Sequence, residues 1–139
     1  MAPSPRKNEL ASKKNVTFEK GKNMICRADK RSIQIRNQVR GGKGDAIFAH
    51  LFKSGEELNE NMRLFSVISL KKGDSIGYHV HEGEDELYFI LQGEAAYDDN
   101  GEKTSLKAGD STITRSGEGH SIECAGEETL ELLAVIVKN

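Results

Sequence analysis

The chain has 139 residues, 30% of them charged, with a formal net charge of −2. That length suits one hydrophobic core, and the near-balance of charge excludes the basic excess of a nucleic-acid binder. No apolar run approaches the roughly 20 residues that a membrane-spanning helix needs.

Two cysteines, Cys26 and Cys124, are too few for a disulfide scaffold and fit a reducing, cytoplasmic compartment. The charge is unevenly spread. Residues 1–23 carry +4, which leaves −6 for residues 24–139. The opening segment holds both prolines and lacks the apolar stretch of a secretory signal. It reads as a basic, polar extension without a core of its own, free or laid along the barrel or a partner subunit. One domain is expected over 24–139.

From residue 31 onward the pattern is β. Gly41-Gly42-Lys43-Gly44 lacks the spacing of a phosphate loop and reads as a turn into a strand over 45–52. A polar turn near 55–61 is the one helical candidate. Strands follow at 62–70 and 86–92, with a last one at 129–137, all rich in β-branched or aromatic residues. Shorter strands are expected at 76–81, 94–98, 103–107, 111–114 and 119–124. Between 94–98 and 103–107, Asn100-Gly101 is a strong hairpin turn, because both residues tolerate positive φ. Many short strands at this spacing predict an all-β sandwich or barrel.

Alternation assigns faces within the strands. Glu86, Tyr88 and Ile90 share one side of 86–92, and Leu87, Phe89 and Leu91 share the other. If Glu86 points inward, the Leu/Phe/Leu side points outward and needs cover from a second sheet or another subunit, and a homodimer is the expected source. His79 and His81, at i and i+2, converge on the interior. Glu82 to Asp85 is expected as a connection, with Glu86 returning on the neighbouring strand and His120 arriving from a distant one. Three imidazoles and a carboxylate suit one divalent transition ion: Mn, Fe, Ni, Co, Cu or Zn. A metal-free pocket is the alternative.

The spacing Gly73-x5-His79-x-His81-x4-Glu86-x6-Gly93 resembles the first motif of the cupin superfamily at every position. The second motif is matched at Gly109, Gly117 and His120, while Arg115 stands where the family has proline and Cys124 where it has asparagine. The resemblance covers about residues 40–137. It implies a jelly-roll or double-stranded β-helix barrel, RmlC-like in fold, of the oxalate-decarboxylase-like type. It also implies that His79, His81, Glu86 and His120 are metal ligands.

Other residues carry weaker expectations. Glu86, Tyr88 and Arg63 are candidate catalytic or substrate-contacting groups, with Tyr78 and Arg115 beside them. An inward Arg63 guanidinium would need an anionic partner; exposure at an edge is the alternative. Cys124 shares the parity of His120, as a thiol near the cavity or a small buried filler. His50 is expected to pack on its strand, and Glu82, Glu84 and Asp85 to form a solvated turn. Three functions fit this pattern. The first is decarboxylase- or dioxygenase-like chemistry on a small oxygenated acid. The second is isomerisation or epimerisation of a sugar or sugar acid, and the third is non-catalytic binding of a small ligand.

Overall fold

A computed structural model describes residues 25–139. The predicted basic extension lies outside the described residues. Ten strands form two antiparallel sheets: β1 (Ser32–Asn37), β2 (Asp45–His50), β3 (Met62–Leu70), β4 (Ser75–Val80), β5 (Glu84–Gln92), β6 (Glu94–Asp99), β7 (Glu102–Lys107), β8 (Ser111–Thr114), β9 (Gly119–Cys124) and β10 (Leu130–Lys138). One sheet has the order β1-β2-β3-β10-β5-β8 and the other β4-β9-β6-β7. The expected all-β jelly-roll is thus present.

Nine of the ten strands match expected segments. The exception is β1, whose Ile33 and Ile35 alternate with polar residues. The segment near 55–61 is a turn, closed where the Glu57 N–H donates to the Lys53 carbonyl at 2.9 Å. Short 3-10 turns stand at Ala28–Lys30 and Val39–Gly41. The β6–β7 hairpin turns at Asn100 and Gly101, with φ of 52° and 99°, which is the geometry that selects this pair.

Register stacks the interior in layers. Leu132 pairs with Ile68 on one side and Ile90 on the other, Ala134 with Ser66 and Tyr88, and Ile136 with Leu64 and Glu86. On the opposite sheet β9 contributes Cys124, Ile122 and His120 in the same direction. The barrel therefore has an apolar floor of Leu70, Leu130, Leu132, Ile68, Ile90 and Ile122, all buried, and a polar upper end. That floor is what holds the two sheets together, since fully burying each such side chain contributes about 1.5–3 kcal/mol. Leu132 is fully enclosed between β3 and β5. Leu132→Ala is expected to cost about 2–5 kcal/mol, read as a lower urea midpoint at unchanged slope.

Candidate metal centre

The upper end gathers His79, His81, Glu86 and His120, whose donor atoms all lie within 4.8 Å of one another. How they meet differs from expectation. β4 and β5 are not sheet neighbours: β4 pairs with β9, while β5 lies between β10 and β8 in the other sheet. His79 and His81 thus face Glu86 across the barrel interior. His120, expected from a distant strand, is the direct register partner of His79.

A bulge makes this possible. Ile76 pairs with Ile122 and His79 with His120, so Gly77 and Tyr78 oppose the single residue Ser121. Such a bulge reverses the face of everything beyond it. Ile76 enters the core, yet three residues later His79 also points inward, while Tyr78 and Val80 are exposed. Glycine is required at the bulge because a Cβ at Gly77 would collide with the Arg40 carbonyl oxygen.

Hydrogen bonds fix the imidazole orientations. The Gly77 carbonyl can only accept, so His79 donates to it from Nδ1 at 2.8 Å. The His81 Nδ1–H likewise donates to Glu84 Oε2 at 2.8 Å. His120 Nδ1 meets the hydroxyls of Tyr97 at 2.8 Å and Thr114 at 2.9 Å, either of which can take its proton. In the neutral rings each Nε2 then presents a lone pair to the interior. Glu86 Oε1 lies 3.0 Å from His81 Nε2, 3.1 Å from His120 Nε2 and 4.0 Å from His79 Nε2, and the His81 and His120 Nε2 atoms are 3.1 Å apart. Neutral rings so held would confront acceptor with acceptor, an arrangement that a central cation relieves. Donors bonded to one ion at about 2.1 Å stand about 3 Å apart. The cluster is able to hold a metal ion.

Protonation follows the surroundings. Burial lowers the His79 pKa to about 4. Where a ring carries a second proton on Nε2 it donates to Glu86: that bond, joined by the one to Glu84, raises His81. Such bonds from His120 and His81 outweigh the burial that alone would raise the Glu86 carboxyl, and hold it below the usual carboxylate range. Burial pushes the Tyr88 phenol well up. Its ring stacks on His120 at 5.0 Å between centroids and lines the cavity.

That cavity measures about 100 Å³ and is walled by Arg36, Arg40, Arg63, Val39, Ile76 and Ile136 around the cluster. A cleft of about 420 Å³, bordered by Gln34, His50 and Lys53, shares its Arg36 and Arg63 wall.

The remaining sequence candidates divide clearly. Arg63 reaches the cavity wall and finds its anionic partner in Glu84. Tyr78 is exposed on the opposite face of β4 and packs its ring over Gly119; Arg115 is exposed in a turn. Neither lines the cavity. Cys124 lies two pleats below His120, buried, its thiol 3.4 Å from the Glu128 carbonyl, which is the place of a filler. His50 packs on its strand and bonds Ser66 and Gln34. Glu82 is solvated as expected, but Glu84 belongs to β5 and turns in towards His81. Glu84 shares the parity of Glu86, and that was its signal. Tyr97 and Thr114, which hold His120, and Arg36 and Arg40 had no comparable spacing to reveal them.

Fold and site together define a double-stranded β-helix barrel with three histidines and one carboxylate gathered inside one end. The Cupin domain family matches residues 66–136. An oxalate-binding protein of Thermotoga maritima is 44% identical over 120 residues, spanning 86% of this chain and 98% of the relative. A crystal structure of a predicted oxalate decarboxylase from Thermotoga maritima has a TM-score of 0.79 at 45% identity, and the match covers 84% of this chain and all of that one. A double-stranded β-helix protein of Klebsiella pneumoniae has a TM-score of 0.65 over 89% of this chain and 92% of its own, at 23% identity, a likeness of fold alone. The chain belongs to the cupin family.

Proposed function

We propose that this chain is a mononuclear metal cupin, with His79, His81, Glu86 and His120 as the ligands, whose substrate or ligand is a small oxygenated acid, oxalate first. The observation that carries the reading is the set of guanidiniums around the cluster. Arg36 forms no ion pair among the described residues; it donates to Gln34 at 2.9 Å and lies over the Phe48 ring at 4.1 Å. Arg36 and Arg40 therefore supply positive charge where the far carboxylate of an acid would lie. The cavity is small, about 100 Å³, which suits a small acid. A relative that is 44% identical carries the name oxalate-binding protein, in the same direction.

A bound ion would supply Lewis acidity to a carboxylate oxygen. The chain's own residues do the rest: Arg36 and Arg40 orient the acid, Val39, Ile76 and Ile136 exclude water, and Tyr88 backs His120. The isomerase reading loses support because it needs a free base, and Glu84 is engaged by both Arg63 and His81. Pure binding stays as a second reading, favoured by the name of that relative.

The test is to purify the protein without chelator, determine its metal, and titrate oxalate calorimetrically. Carbon dioxide, formate and oxygen uptake are followed alongside. Saturable oxalate binding is expected; turnover to carbon dioxide and formate marks an enzyme, and unchanged oxalate marks a binding module. Failure to bind oxalate or other small dicarboxylates removes the acid reading.

The assembly we infer is a homodimer through the outer face of the six-stranded sheet, where Leu87, Phe89, Leu91 and Ile113 are exposed. Two free cysteines support a reducing, cytoplasmic setting. No helix among the described residues is long and apolar enough to cross a membrane.

A further inference from the structure

We propose that Glu84 and Arg63 form an outer support for the metal centre, a chain Arg63–Glu84–His81 that fixes how His81 presents its Nε2 to the ion. This rests on the metal reading of the four-residue cluster. The geometry is closed at each link. The Arg63 Nε–H and Nη2–H donate to the two oxygens of Glu84, both at 2.8 Å. Glu84 Oε2 in turn accepts the His81 Nδ1–H at 2.8 Å. His81 is 2% exposed, so in the intact site Glu84 and not solvent meets its Nδ1–H.

Each residue reaches its place for a local reason. Glu84 begins β5 two residues before Glu86, and strand alternation sends both to the same side. Arg63 has the parity of the outward residue Phe65, yet it turns to the mouth. Leu64 pairs with Ile136 and Met62 with Val137, so Arg63 is the extra residue of a bulge, without a partner on β10. Bulges commonly re-aim a side chain in this way.

A fork of two parallel bonds restricts the Glu84 carboxylate in position and plane, which a single lysine could not do. A carboxylate held so tightly fixes the histidine tautomer and ring orientation; loss of such a partner typically costs 10- to 100-fold in metal affinity. Of the three histidines, His79 rests on a backbone carbonyl and His120 on two hydroxyls. Among the described residues, His81 is the one whose Nδ1 is oriented by a side-chain charge.

The experiment measures Co(II) affinity of the full chain by competition with a chromophoric chelator, together with the visible absorption of the bound ion. Glu84→Ala is expected to weaken Co(II) binding about 10- to 100-fold and to shift the absorption bands. Glu84→Gln keeps an acceptor for the His81 Nδ1–H and is expected to fall between. Arg63→Met is expected to weaken binding less than Glu84→Ala, and to add nothing on top of it, because Arg63 acts through Glu84.

Wild-type affinity and spectrum in folded Glu84→Ala overturn the proposal, even if its melting temperature drops. Independent, multiplying losses from Arg63→Met and Glu84→Ala overturn the coupling between them. A native chain that takes up no Co(II) removes instead the four-residue metal reading on which the proposal stands, so the two failures are distinct.

Discussion

Replacing both His79 and His81 by alanine is expected to reduce transition metal in the purified protein from about one ion per chain to background, with the β fold retained. Two of three nitrogens vanish, and His120 and Glu86 alone give a site of two donors, against the four that such ions usually take. The fold survives because its energy lies elsewhere. The floor of Leu70, Leu130, Leu132, Ile68, Ile90 and Ile122 is below the cluster and loses no atom. Removing the imidazoles also eases the crowding of acceptors around Glu86. Glu84, left without His81, keeps its two bonds from Arg63. The stability change should stay within about 1–3 kcal/mol. Elemental analysis and a circular-dichroism melt read the two quantities separately, and equal metal in the variant would sink the ligand assignment.

The reasons that His79, His81 and Glu86 were legible, that Arg63 was open between two faces and that Glu84 was not legible, are physical. Strand periodicity is strict, so i and i+2 share a face over any uninterrupted stretch. His79 to His81, and Glu86 to Ile90, are such stretches. Periodicity says nothing across a bulge. The parity of Ile76 contradicts that of His79 until Gly77 and Tyr78 are counted against one residue of β9, and only the glycine hinted at it. Arg63 stays open between two faces for the same reason, its direction set by the bulge opposite Ile136 and Val137 rather than by Phe65 and Val67. Sheet membership was equally hidden, because a short connection between β4 and β5 looks the same whether it joins strands in one sheet or crosses between two. Glu84 reads as turn surface because acidic residues crowd around Gly83, yet β5 starts there. β1 is hard to read because Ile33 and Ile35 are exposed while Gln34 and Arg36 border the cleft, the reverse of the usual pattern.

That reversal bears on the second large effect, the conversion of the proposed dimer to monomers by Phe89→Glu. Ile33 and Ile35 are 60% and 64% exposed at one edge of the six-stranded sheet, and Leu87, Phe89, Leu91 and Ile113 are 39–44% exposed towards the other. Register joins them: Ile113 to Leu87, Leu87 to Val135, Phe89 to Leu133, and on through Val67 and Ala49 to Ile33. Val67 in the middle is itself buried, so the exposed apolar patch is that of Leu87, Phe89, Leu91 and Ile113, of a kind that a monomer seldom leaves uncovered. Two copies related by a two-fold axis would cover it, and every substitution then acts twice. Each Phe89 removed gives up about 1.5–3 kcal/mol of burial, and each carboxylate introduced meets an apolar surface that offers no partner. The dimer is expected to weaken by at least about 10³-fold, equivalent to about 4 kcal/mol. Light scattering over a concentration series should give twice the chain mass for the wild type and one chain mass for the variant. A wild type that is monomeric at every concentration rejects the dimer, and a dimeric Phe89→Glu places the interface on another surface. Phe89 points away from Glu86 and Tyr88, so the monomeric variant should keep the metal content of the wild type, and assembly and metal binding can then be lost independently.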